Sequence, residues 1–154
     1  NNEKYILPTL KSRCLTFKIN FTFNETINVT NLLVKKNIFE IMNNDLINYY
    51  STPGELVSLI NFAEEKKIDL NNFNLIALIN LFIDNSYYKK NKLVKKLLIN
   101  FIELFFLKKY QLSLKKNNLL NSHKKFLDKI YNMEMFNLDE ESLFLEFKKD
   151  LLNG

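Results

Sequence analysis

Apolar and polar residues alternate near the start of the chain. Large apolar side chains occupy every second position there, namely Leu15, Phe17, Ile19, Phe21 and Phe23. A period of two is typical of a β-strand, whose successive side chains point to opposite faces. Because a single strand cannot satisfy its own edges, we expect it either to belong to a larger sheet or to dock irregularly. The preceding segment, residues 7–12, suits a short helical turn with Pro8 near its start.

From Asn24 onward the apolar positions recur at the three- and four-residue spacing of α-helices. The pattern predicts helices over residues 25–34, 38–49, 53–66, 73–83, 91–109 and 118–135, and a last helix from about residue 139. Residues 73–83 are apolar nearly all round, as in a helix enclosed by others. We therefore expect an all-α fold, with a short residual strand at the N-terminus.

The clearest local signal is Thr52-Pro53-Gly54-Glu55. Thr52 can cap a helix, Pro53 fits the first helical position, and Glu55 can return a hydrogen bond to the Thr52 amide. This arrangement is a capping box, and it predicts that a helix begins at Pro53.

Composition is that of a globular protein, with 47% hydrophobic and 25% charged residues. The formal charge of +5 permits a polyanionic partner but does not require one. Lysines recur as adjacent pairs along the whole chain, and we interpret them first as solvated helix faces. A stand-alone, lysine-rich helical domain that binds DNA is the alternative from another functional class.

Cys14 is the only cysteine, so no internal disulfide can form and a reducing cytoplasm is expected. The longest apolar run, residues 97–107, is broken by Asn100 and Glu103 and is too short to span a bilayer. The chain also starts without methionine, within what resembles a structural unit. We therefore expect a cytoplasmic protein and a sequence that is part of a longer one.

The sequence lacks the residues that several kinds of catalytic and ligand-binding site require. Gly54 and Gly154 are the only glycines, which excludes a glycine-rich phosphate loop. His123 is the only histidine and lies on the apolar side of its helix, so we expect it at the edge of the core rather than in catalysis. Asp139, Glu140 and Glu141 suit a helix start, since they lack the spacing of a calcium loop. We expect no metal site and no activity from this chain alone.

Arg13 is the only arginine, and it lies between Ser12 and Cys14. Its guanidinium can make planar, bidentate contacts that the ammonium of lysine cannot. Residues 6–17, Ile-Leu-Pro-Thr-Leu-Lys-Ser-Arg-Cys-Leu-Thr-Phe, resemble the segment that closes the AAA+ core of bacterial clamp-loader subunits, with its "LPT-(L/I)-(K/R)-SRC" run. Residues 51–56 are similar to the start of the sensor 2 helix in that family. Gly54 stands where ATP-hydrolysing relatives have an arginine.

This resemblance implies three segments. Residues 1–22 would be the end of the AAA+ core with its last strand, residues 23–69 the helical lid, and residues 70–154 the C-terminal helical collar. Arg13 would be an arginine finger acting in trans on ATP bound by the neighbouring subunit, while Ser12 and Cys14 shape the turn. The implied partners are other clamp-loader subunits, the sliding clamp and primed DNA. An ATP-hydrolysing member of the same group is the alternative, and an arginine at position 54 would have supported it.

Overall fold

The computed structural model describes residues 20–113, 116–136 and 138–149, apart from the side chain of Glu134. In these ranges the chain is entirely helical, which confirms the predicted all-α class. The helices are α1 Phe23–Val34, α2 Ile38–Ile41, α3 Pro53–Lys66, α4 Leu75–Asp84, α5 Tyr87–Lys90, α6 Lys92–Leu112, α7 Lys116–Phe136 and α8 Glu140–Phe147. A 3₁₀ turn, Asn44–Leu46, lies between α2 and α3.

The predicted strand lies mostly outside the described residues, and at its end the prediction is wrong. Phe23 is the first residue of α1. The Thr22 hydroxyl accepts a hydrogen bond from the Glu25 amide at 3.3 Å, and the Glu25 carboxylate accepts one from the Thr22 amide at 2.8 Å. This capping box starts a helix two residues before the position that the spacing indicated.

The helix predicted over residues 38–49 is also wrong, because α2 ends at Ile41. The Asn43 side chain accepts a hydrogen bond from the Asp45 amide at 2.9 Å. The Asn43 amide donates to the Leu70 carbonyl at 3.2 Å, which directs it away from the helix. Asparagine side chains offer the backbone such alternatives to helical bonding. The chain therefore turns here and brings α2 beside the segment that precedes α4.

Helix α6 is the centre of the packing, since it contacts α3, α4, α5 and α7. Buried apolar residues from Ile27 to Phe147 form one continuous cluster around it. Aromatic rings fill much of this core, and Phe82, Phe106 and Phe144 are almost fully buried. Apolar burial of this extent supplies most of the free energy that opposes chain entropy. The predicted division at residues 69 and 70 stays a prediction, but the core that surrounds α6 extends to both sides of it.

Candidate functional site

The residues expected to carry the chemistry fall in two places. Ser12, Arg13 and Cys14 lie outside the described residues, so the predicted finger stays a prediction. Pro53 and Gly54 lie in the first turn of α3. The structure therefore describes one of the two predicted sites, the start of the helix that resembles the sensor 2 helix.

The start of α3 has the predicted capping box. The Thr52 hydroxyl accepts a hydrogen bond from the Glu55 amide at 3.3 Å, and the Glu55 carboxylate accepts one from the Thr52 amide at 3.0 Å. Pro53 occupies the first turn, where its missing N–H leaves no helical hydrogen bond unmade. The structure therefore confirms both predictions, the capping box and the start of a helix at Pro53. Both could be made from the sequence because they depend only on neighbouring residues.

The same carboxylate also joins α3 to α6. Its second oxygen, Glu55 Oε1, lies 2.8 Å from Lys96 Nζ and accepts a hydrogen bond from Asn100 Nδ2 at 3.1 Å. Burial raises the pKa of Glu55, but the hydrogen bonds from Lys96, the Thr52 amide and Asn100 outweigh it and hold the pKa below its ordinary value. Sequence reasoning missed Lys96 and Asn100, because both belong to a helix far along the chain.

Gly54 is not required by the packing around it. A Cβ atom placed on Gly54 would have no heavy atom within 4 Å. The residue has no positive φ that would favour glycine. A β-carbon is therefore tolerated at this position without a clash.

The enclosed cavity beside the start of α3 is small. The cavity there measures about 20 Å³, and Glu55, Asn100 and the apolar side chains of Leu56 and Phe101 contribute to its walls. A space of this size holds a water molecule, whereas ligand pockets measure roughly 300 to 1,000 Å³. In the described part of the chain, the start of α3 connects α3 to α6 through the contacts of Glu55.

His123 lies at the edge of the core, as its position on α7 predicted. Its ring stacks on Phe106 with centroids 4.5 Å apart and an interplanar angle of 22°. The Nε2 atom is buried and has no hydrogen-bond partner among the described residues. Burial lowers the pKa of His123, and the nearby Glu103 carboxylate opposes that effect in part. A neutral ring is therefore the form that the fold favours.

A groove of about 240 Å³ runs between α7 and α8. Its lining consists of Ser122, Lys125, Phe126, Lys129, Leu143, Glu146 and Phe147. The Lys129 ammonium pairs with the Glu146 carboxylate at 2.5 Å, and the Ser122 hydroxyl donates to the Asn118 carbonyl at 3.1 Å. Lys129, Glu146 and Ser122 therefore already have partners within the chain.

Eight lysines are engaged in ion pairs among the described residues, and all of them except Lys129 belong to the adjacent lysine pairs. Among the described residues the ion pairs are Lys36–Glu64, Lys66–Glu65, Lys89–Glu141, Lys95–Glu140, Lys96–Glu55, Lys108–Asp45, Lys129–Glu146 and Lys148–Asp84. The other lysines of the adjacent pairs make no ion pair within the described ranges, namely Lys35, Lys67, Lys90, Lys109, Lys116, Lys124, Lys125 and Lys149.

The described residues contain no group of three or more histidine, cysteine, aspartate or glutamate residues placed to hold a metal ion. None of their helices has the length and apolar character needed to cross a membrane. Comparison of the chain with protein-family models, with curated proteins and with solved structures finds no match.

Proposed function

We propose that this chain corresponds to the C-terminal part of the delta-prime subunit of bacterial DNA polymerase III. In that role it would be a clamp-loader subunit that does not hydrolyse ATP itself. It would assemble with the gamma/tau and delta subunits through its collar helices and take part in loading the sliding clamp onto primed DNA. The observation that carries the proposal is the run Leu7 to Cys14, with the only arginine of the chain at position 13.

The start of α3 supports the assignment to a subunit that does not hydrolyse ATP. Gly54 occupies the position of the sensor 2 arginine in the resemblance, although a Cβ atom there would meet no heavy atom within 4 Å. In the proposed mechanism, Arg13 acts on ATP that is bound by the neighbouring subunit.

Arg13 would act on that ATP in trans. Its guanidinium would approach the γ-phosphate and stabilise the charge that develops on the transferred phosphoryl group. Arginine fingers contribute roughly 10³ to 10⁵ in rate in other phosphoryl-transfer systems. Lysine is a poor substitute, because its ammonium cannot offer two parallel donors.

The test uses the full-length protein, reconstituted with its partner subunits and clamp. We expect Arg13→Ala to leave ring assembly intact and to depress the DNA-stimulated ATPase rate, since hydrolysis at the neighbouring site loses roughly 10³-fold or more. Arg13→Lys should be nearly as slow. Assembly is measured by gel filtration and the rate by phosphate release.

The matched control is Lys11→Ala, which removes a neighbouring positive charge and spares the finger. It should leave the ATPase rate near the wild-type value. An unchanged rate with Arg13→Ala in an assembled ring would show the finger assignment to be wrong. Failure to assemble with clamp-loader subunits at all would refute the whole proposal.

The two alternatives have less support. A gamma-type ATPase subunit would be expected to carry an arginine at position 54, where this chain has glycine. A stand-alone DNA-binding domain would use the paired lysines, yet seven of these lysines are joined to carboxylates in the described residues. Such a domain would bind DNA with a steep dependence on salt, which a titration of this chain would detect.

A further inference from the structure

Helix α7 is held to the rest of the fold by few buried side chains. Among its described residues only Phe126 and Met133 are buried, whereas eight residues are buried in α6, which has the same length. The packing partners of α7 are chiefly α6 and α8. Elements with few buried apolar contacts open at a low free energy cost in native proteins. Of the two longest helices, α7 is therefore the one that separates more readily.

His123 forms part of this contact between α7 and α6. Its ring stacks on Phe106, and Phe106 in turn lies 6.0 Å from Phe126 and 5.9 Å from Phe147, between ring centroids. The Nε2 atom of His123 is buried and has no hydrogen-bond partner among the described residues. A histidine that takes up a second proton carries an N–H on both nitrogens. The charged ring would therefore hold a buried donor at Nε2 without an acceptor, which is unfavourable.

The charged groups around the ring compensate little for this burial. On α6 the Glu103 carboxylate attracts a charged ring, yet burial outweighs that attraction and lowers the pKa of His123. The two residues that follow His123 on α7 are exposed lysines, which disfavour a further positive charge. Other charged side chains of α6, α7 and α8 have contacts of their own, namely Lys109 over the Phe105 ring, Lys116 over the Tyr110 ring and Lys129 with Glu146.

We propose that His123 makes the packing of α7 sensitive to acid: when its ring takes up a proton, α7 separates from α6 and α8 while the other described helices stay folded. Separation gives the Nε2 donor access to water, which removes the cost of charging it. It also exposes the rings of Phe106, Phe126 and Phe147. The inference concerns the place where the fold opens, and it does not depend on the proposed function.

Helix α8 has contacts that keep it in place when α7 separates. The Phe144 ring packs on the Tyr88 ring of α5, with centroids 4.7 Å apart. Ion pairs also join α8 or its C-cap residue to α4, α5 and α6. By contrast, the Lys129–Glu146 pair between α7 and α8 is about half exposed and well screened, so little stability is lost when it breaks. The opening is therefore confined to α7.

The direction of the pH dependence follows from the two pKa values of His123. In the open form the ring takes up a proton with the ordinary pKa of about 6.5, and in the closed form it does so only at lower pH. Falling pH therefore favours the open form. Between the two values one proton is taken up for each opening, so the ratio of open to closed molecules rises by up to about tenfold per pH unit.

Native-state amide hydrogen exchange of the whole chain, from about pH 5 to about pH 7.5, tests the proposal. After correction for the intrinsic rate of exchange, protection of α7 amides should fall by up to about tenfold per pH unit below about pH 6.5. Exchange in α7 should depend little on added urea, because a local opening exposes little surface, whereas exchange in α3 should depend on it steeply. His123→Gln should remove the pH dependence in α7.

Two carboxylate variants complete the experiment. Glu103→Gln removes the charge that favours protonation of the closed form, so the loss of α7 protection should continue to lower pH than in the wild type. The matched control is Asp128→Asn, at an exposed carboxylate of the same helix, which should keep the wild-type pH dependence. Equal protection and equal urea dependence in α7 and α3 at about pH 5.5 would overturn the proposal, since one opening would then serve both helices. A pH dependence of α7 that persists in His123→Gln would also overturn it.

Discussion

The surroundings of the His123 ring oppose its protonation. Burial against Phe106 lowers the pKa of the ring, and only Glu103 is identified as opposing the shift. The folded chain therefore takes up this proton at lower pH than the unfolded chain does. Above the ordinary histidine pKa of about 6.5, His123 has no pH-dependent effect on the free energy of unfolding. As the pH falls from that value to the lower pKa of the folded state, protonation of His123 in the unfolded chain decreases the free energy of unfolding.

Replacing His123 with phenylalanine should stabilise the fold. At neutral pH we expect His123→Phe to raise the free energy of unfolding by about 1 kcal/mol, because the buried, unpartnered Nε2 atom is removed and the stack on Phe106 is kept. The gain should increase as the pH falls below about 6.5, since only the wild type must then protonate on unfolding. Urea denaturation at several pH values measures both effects.

His123→Gln separates the two causes. Glutamine does not titrate, so this variant should also lose the acid-dependent decrease, but it should not gain the aromatic contact. Equal pH dependence in the wild type and in both variants would show that His123 is not the titrating group.

The position of His123 at the core edge followed from helical spacing, whereas its stack on Phe106 depends on how two helices pack and could not be read from the sequence.

Two helices of this chain start with the same local motif in different surroundings. Thr22 and Glu25 form the capping box of α1, and Thr52 and Glu55 form that of α3. Hydrogen bonds from Thr22 lower the pKa of Glu25, which is fully exposed. Glu55 makes the same bonds and in addition contacts Lys96 on α6. A comparison of the two therefore isolates what the contact between helices adds.

Glu55→Ala should lower the free energy of unfolding by about 2 kcal/mol, the sum of a lost cap and lost contacts to α6. Glu25→Ala should cost less, because in the described part of the chain the Glu25 carboxylate makes contacts only at the start of its own helix. A double-mutant cycle between Glu55 and Lys96 should give about 0.5 kcal/mol, since the lysine side chain is 64% exposed and well screened. Equal losses for Glu25→Ala and Glu55→Ala would contradict a role for Glu55 in joining α3 to α6.

Prediction from the sequence succeeded where the signal was local. The start of α3 followed from four consecutive residues, and the long helices α6 and α7 followed from apolar periodicity. It failed where a side chain competed with that periodicity. Thr22 capped α1 within a strand-like pattern, and Asn43 ended α2 early with the help of the distant Leu70 carbonyl.

At the scale of the whole molecule, a set of phenylalanine rings joins the two segments that the sequence separates at residues 69 and 70. The Phe82 ring lies 5.2 Å from Phe62 of α3 and 6.0 Å from Phe101 of α6, between ring centroids. Phe82 itself is fully buried. The many aromatic residues of the sequence indicated a substantial core, but composition does not say which rings meet. One continuous core implies that both segments unfold together.

Phe82→Ala tests that implication. We expect it to lower the free energy of unfolding by about 3 to 5 kcal/mol, because it leaves a cavity at the junction of α3, α4 and α6. If Phe82→Ala does not fold, Phe82→Leu takes its place. That variant should lower the free energy of unfolding by only about 1 kcal/mol. Amide hydrogen exchange should show that protection in α3 and in α6 falls by the same amount, since one cooperative unit opens as a whole.

The control is Phe39→Ala, at a ring that is 48% exposed, which should change protection little in either helix. If α6 lost protection while α3 retained it, the two segments would be separate folding units and the predicted boundary would mark a true division.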